Sequence, residues 1–236
     1  MPDDEFSKQA GKAFQNVAIG VAGLVGGPAG VALTVGVSAL FNVFEAVANG
    51  NAEAFREARI GAVEDELRRV AEEVRKIQEA RAATGKPIDA PDPLTQGVLF
   101  SEFAEAVASA ATPEKRTALV HAAARQFDPN RGNAAVRQHW FAAARSLTDM
   151  EVVVIRLVDR EYSIYSERNM VYGLDGKPNG PGRALGFTED EDTAILTTVG
   201  KMAQTQTYVQ ASSWQGGQKF GLTSQGRMLA RYISDD

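Results

Sequence analysis

The 32 positions between Lys12 and Glu45 carry no charged side chain, and this run constrains the chain more than any other feature. A membrane-spanning helix needs about 20 apolar residues, so the run is long enough to span. Its six glycines, Gly20, Gly23, Gly26, Gly27, Gly30 and Gly36, argue against one continuous helix, because each costs about 1 kcal/mol relative to alanine in a helix interior. Gly26-Gly27-Pro28 breaks the run in two. The run reads as a glycine-rich apolar helical hairpin, Phe6 to Val25 and then Pro28 to Ala48. Gly23 with Gly27, and Gly26 with Gly30, have the four-residue spacing that lets helix backbones approach closely. Gly20, Gly23, Gly26, Gly27, Pro28 and Gly30 therefore shape either a packing hairpin inside a helical domain or a segment that enters a bilayer. No aromatic belt or basic cluster flanks the run, which weighs toward burial at rest.

The chain has 236 residues with a formal net charge of −5 and no cysteine. The absence of cysteine excludes disulfides, thiolate zinc sites, iron–sulfur clusters and a cysteine nucleophile. The acidic balance speaks against a strongly basic nucleic-acid binder. The start, with Asp3, Asp4 and Glu5, is unlike a secretory leader. The expected location is the cytoplasm, with the hairpin permitting a peripheral place at the inner membrane.

After Asn49-Gly50, a long helix is expected from a cap at Asn51 to about Thr84, ended by Gly85 and Pro87. Ile60, Val63, Leu67, Val70, Val74 and Ile77 recur at spacings of three and four along it, the pattern of a helix packed along one seam. The other face is charged, and an intramolecular bundle is favoured over a coiled coil. A Pro-rich linker covers 85–93. Three further helices are expected near 95–111, from Thr112-Pro113-Glu114 to before Asp128, and over 133–147. Thr148 with Glu151 forms a capping box, so the β-branched run that follows starts as helix, with a strand as its rival. Residues 173–187 read as loop. Thr188 caps a helix whose first turn is Glu189-Asp190-Glu191-Asp192, and strands flank Gln215-Gly216-Gly217-Gln218 before a closing helix from Ser224 to Ile233.

Motifs for known chemistries are missing: the sequence holds no GxSxG, HExxH, GxxxxGK[ST] or GxGxxG. Its two histidines, His121 and His139, fall on separate expected helices and read as packing or surface residues. No catalytic residue, cofactor, metal ligand or small-molecule substrate is implied. Residues 114–145 carry a net +4 with Trp140 and Phe141 interleaved. Arg116, Arg125, Arg131 and Arg137 are the candidate anionic-ligand patch there. The blander alternative is that these bases pair with acids of the same chain, the 51–84 helix offering a surface.

A helix, a strand pair around Gly216-Gly217, and Phe220 to Ile233 with Leu222, Thr223, Gly226 and Arg227 resemble the wing and following helix of winged-helix domains. A DNA-reading helix presents donors and positive charge to the major groove. The helix in that position instead opens with four acids, and residues 188–236 carry a net −2. Phosphate repulsion disfavours nucleic acid and points to a protein partner or self-association. The order of the whole chain, with LFSEFAEAVASAATPEKRTALVHAAARQF and SLTDMEVVVIRLV in its middle, resembles bacterial helical proteins related to the abortive-infection alpha (Abi-alpha) group. That resemblance implies a place in phage defence or toxin systems.

The expected fold is mainly α: a helical bundle with the N-terminal apolar hairpin and a C-terminal winged-helix-like module containing a small β-hairpin. Its parts are hairpin plus charged helix (1–84), linker (85–93), helical middle (94–147) and winged-helix-like module (148–236). The expected function is that of a non-enzymatic bacterial effector whose hairpin engages membrane. The alternative is a winged-helix regulator or protein–protein adaptor.

Overall fold

A computed structural model describes residues 53–85, 91, 93–174, 182–214 and 217–234. The apolar hairpin and most of the 85–93 stretch lie outside the described residues. The described chain is mainly helical, with a small antiparallel sheet toward its C-terminus. It divides into two compact units, Met1–Arg145 and Ser146–Asp236.

In the first unit, α1 (Glu53–Ala82) is built from strong helix formers. Its seam is covered within the chain: Val63, Leu67, Val70, Ala71 and Val74 are fully buried against α2 (Pro93–Ser109) and α3 (Pro113–Ala124). The opposite face is laced with pairs three or four residues apart, among them Asp65–Arg68 at 3.2 Å and Glu73–Lys76 at 2.7 Å, with Arg75 between Glu72 and Glu79. Such pairs add only about 0.2–0.5 kcal/mol each, so the apolar seam holds the helix in place. At its end, Gly85 adopts φ +68° and its N–H donates to the Ala82 carbonyl, a left-handed stop that glycine makes cheaply.

Because α1 packs on α2 and α3, the Pro-rich stretch joins parts of one unit instead of separating two. α3 opens as its sequence requires, with Thr112 accepting from the Lys115 N–H and Pro113 at the first position. Its alanines, Ala118, Ala122, Ala123 and Ala124, are buried, so small side chains admit the helix to the centre of the unit. Phe100 of α2 meets Phe127 beyond α3 at a ring distance of 6.3 Å. α4 (Ala134–Ser146) adds Trp140, Phe141 and Ala144 to this core.

The second unit begins with α5 (Asp149–Arg160), whose capping box between Thr148 and Glu151 is fully formed. Val152, Val154, Ile155, Leu157 and Val158 are buried. Burial of this apolar face outweighs the strand preference of valine and isoleucine, so the run is helix through Arg160 and strand only from β1 (Ile164–Glu167). β1 is followed by β2 (Met170–Gly173), which ends where the expected loop 173–187 begins, and that loop itself contains a short strand, β3 (Arg183–Ala184). Arg168 and Asn169, at φ 50° and 64°, make the tight turn between β1 and β2, the geometry that suits a two-residue hairpin. α6 (Glu189–Thr205), β4 (Val209–Trp214), β5 (Gly217–Leu222) and α7 (Ser224–Ile233) complete the unit. The sheet runs β3-β2-β1-β5-β4, every pair antiparallel.

Candidate functional site

The four candidate arginines, Arg116, Arg125, Arg131 and Arg137, do not form one exposed patch. Arg137 is 1% exposed and donates from Nη1 to the Gly132 carbonyl at 2.7 Å. Arg125 is also buried, while Arg116 and Arg131 are half-buried, the latter 3.7 Å from Asp128. Other bases of the segment are tied into the bundle as well. Lys115 is buried, and its ammonium donates to the Ala144 and Arg145 carbonyls at 2.5 and 3.2 Å, a cation placed where a helix C-terminus is negative. Arg145 pairs with Glu102 and lies over the Phe141 ring. From α1, Arg69 donates to the Thr117 hydroxyl.

The histidines stand apart in character. His121 is buried with Nδ1 4.0 Å from Glu73, whereas His139 is exposed and meets Trp140 edge-on. Among the described residues no group of three or more metal-ligating side chains gathers. No described helix is long and apolar enough to cross a membrane. The glycines of the hairpin, Gly20 to Gly30 with Pro28, lie outside the described residues.

The second unit carries a groove of about 500 Å³ on the outer side of its sheet. Register explains it: Gln210 stands opposite Gly221, and Ser212 opposite Lys219. Gly221 has no side chain, and a Cβ there would meet only the Ser163 hydroxyl, at 3.7 Å. The missing side chain leaves the floor low between Gln210, Ser212 and Lys219, with Asp159 and Arg227 also in the wall. Arg227 is steadied by donating to the Leu222 carbonyl at 2.8 Å. Beside the groove Tyr162 is 89% exposed at φ 58°, a left-handed conformation uncommon for a bulky residue. This lining offers donors, acceptors and both signs of charge.

The first turn of α6 resolves into separate roles. Glu191 closes a capping box with Thr188, and the bonds it accepts hold its carboxyl below the usual carboxylate range. Asp192 is buried and accepts from the Val171 N–H at 3.2 Å, tying α6 to β2. Glu189 and Asp190 face solvent. Sequence reasoning grouped these four acids as one charge. The buried Asp192 was hidden because its partner, the β2 backbone, lies in a hairpin that only tertiary pairing reveals.

Leu222, Thr223, Gly226 and Arg227 form the lock between the β4–β5 hairpin and α7. Thr223 accepts from the Gly226 N–H at 3.0 Å, and its hydroxyl donates to the Thr207 carbonyl. Nearby, burial first and then the Glu151 carboxylate raise the Tyr208 phenol above its ordinary pKa. The chain matches no known protein family, no curated protein and no solved structure.

Proposed function

We propose that the protein acts by binding and not by catalysis, with its C-terminal unit a winged-helix-like module that docks protein. The support is an order of elements: α5 precedes β1, α6 precedes the β4–β5 hairpin, and β1 pairs with β5, so the strands lie β1-β5-β4. That order resembles a winged helix, and in the sequence the β2–β3 pair falls between β1 and α6, where a winged helix has its second helix. The single observation that carries the choice of partner is the solvent face of α6. Glu189, Asp190, Thr193, Thr197 and Lys201 are exposed on it, so the helix a DNA reader would use presents acids and one base. Charge of that sign repels phosphate. A mobility-shift titration with duplex DNA from low to physiological salt tests the reading, with no shift expected. A shift that weakens steeply with salt would replace the adaptor by a DNA-binding regulator.

The second reading, a membrane-engaging effector of the abortive-infection kind, is favoured by the 32 uncharged positions before Glu45. Flotation with liposomes, with and without residues 13–48, tests it. Retention of the full chain in the soluble fraction under every activating condition removes it.

A further inference from the structure

Two residues of the second unit make costly local choices, and both stand at the same groove. Gly221 lies inside β5, where glycine gives up conformational entropy and has no side chain to pack. Nothing in the fold requires it. Its φ is not positive, and a Cβ there would meet only the Ser163 hydroxyl oxygen at an ordinary 3.7 Å. The one consequence of the glycine is the low floor, and glycine inside a strand often marks a place where a ligand approaches closely. Tyr162 holds a bulky side chain at φ 58° while 89% exposed, so burial does not offset the strain. Local costs that the fold does not need collect at functional sites.

The charges beside the floor indicate what approaches. Lys219 stands two residues before Gly221 on the same face of β5, about 7 Å along the strand. On the other side Arg227 is held by the carbonyl of Leu222, the next residue after Gly221. The low floor therefore lies between two cations. Arg227 is exposed and has the Ser224 hydroxyl 3.5 Å from Nη2 as its other contact, which leaves donors of its five-donor fork for an oxyanion. A groove of about 500 Å³ is far larger than a bare phosphate needs and suits a small organic molecule. Ser163, Gln210, Ser212 and Asp159 complete the polar lining and exchange hydrogen bonds with hydroxyls. A carboxylate is a natural acceptor for sugar hydroxyls, and the exposed Tyr162 ring is a stacking platform for a base. No residue of α6, whose acids oppose phosphate, lines the groove.

We infer that this groove binds a small ligand of nucleotide chemistry. The phosphate sits over Gly221 between Lys219 and Arg227, the sugar hydroxyls meet Asp159, Gln210 and Ser212, and the base lies on the Tyr162 ring. Two cations against one acid leave the lining at net +1, a complement to an anion. Such a site goes beyond the winged-helix reading and does not rest on it.

Amide-shift titration of the purified full-length chain with adenosine monophosphate, ribose phosphate and inorganic phosphate, each to about 10 mM, tests the site. Saturating shifts are expected at residues 163, 212, 219, 221 and 227, with adenosine monophosphate binding about tenfold more tightly than ribose phosphate and inorganic phosphate the weakest. Gly221→Val fills the floor with a side chain that suits a strand, so Tm should hold or rise while affinity falls at least about tenfold. Tyr162→Gly relieves the left-handed backbone and should bring adenosine monophosphate down to the affinity of ribose phosphate. If Gly221→Val perturbs folding, Lys219→Gln decides, weakening all three probes. No saturating response to any probe overturns the inference. So does binding that Gly221→Val and Lys219→Gln both leave intact, which places the contact elsewhere. Adenosine monophosphate binding no more tightly than ribose phosphate or inorganic phosphate also overturns it, leaving an adventitious anion seat. A shift in the DNA titration would leave these outcomes standing, so the two readings fail separately.

Discussion

Gly226 rests against the main chain of Tyr208 so closely that a Cβ at position 226 would lie 2.0 Å from the Tyr208 carbonyl oxygen. That approach seats the first turn of α7 on the start of β4, and the Thr223 cap fixes it in place. Gly226→Ala must push helix and strand apart. Overpacking of this kind costs about 1–3 kcal/mol, and thermal unfolding should show a Tm lower by about 3–10 °C. An unchanged Tm would mean that the contact yields freely.

Lys115 and Arg131 differ in what their removal should cost. The Lys115 ammonium satisfies two carbonyls at the end of α4 from a buried position. Lys115→Met leaves them unsatisfied, at about 1–3 kcal/mol. Arg131 lies half-exposed 3.7 Å from Asp128, and Arg131→Ala should change stability by less than about 0.5 kcal/mol. Chemical denaturation of both variants checks the contrast.

The Glu191 carboxyl is held below its ordinary pKa by the Thr188 backbone N–H and hydroxyl. A carboxylate depressed on folding binds fewer protons in the native state. Its stabilisation is present above the unfolded value, about 4.3, and is lost as pH falls through the folded value. The Tm difference between wild type and Glu191→Ala should therefore be present at pH 7 and shrink on acidification below about pH 4. A difference constant down to pH 3 would contradict the assignment.

Glu161 is 7% exposed, accepts from Arg183 through both carboxylate oxygens at 3.2 Å, and also accepts from Arg160 Nε at 3.0 Å. These bonds hold β3 beside β2. Glu161→Gln should speed amide exchange at residues 183–184 well before α5 is affected. Equal protection in both proteins would show that strand pairing alone retains β3.

Much of the helical architecture is local chemistry and was legible without coordinates. Thr112-Pro113, the Thr148 and Thr188 capping boxes and Gly85 mark helix ends because each satisfies backbone groups within four residues. The seam from Val63 to Val74 was legible because burial follows helical spacing. The β1–β2 hairpin was not, because its left-handed turn uses Arg168, a residue with no preference for that conformation.

The chain's own order of residues determined where helices start and stop, that cysteine chemistry is absent, and that the β4–β5 hairpin leads into a capped α7. Only the tertiary structure decided which charges are inside. Arg137 is buried while Val136 and Gln138 beside it face water, Arg125 lies in a stretch, 121–127, that is buried throughout, and Asp192 serves the β2 backbone while Asp190 does not. Tertiary pairing also set β5 between β1 and β4 and left β4 as the long open edge. The physical reason is range: caps and turns are settled within one helical turn. Burial and strand order depend on groups tens of residues apart, whose meeting no local pattern records.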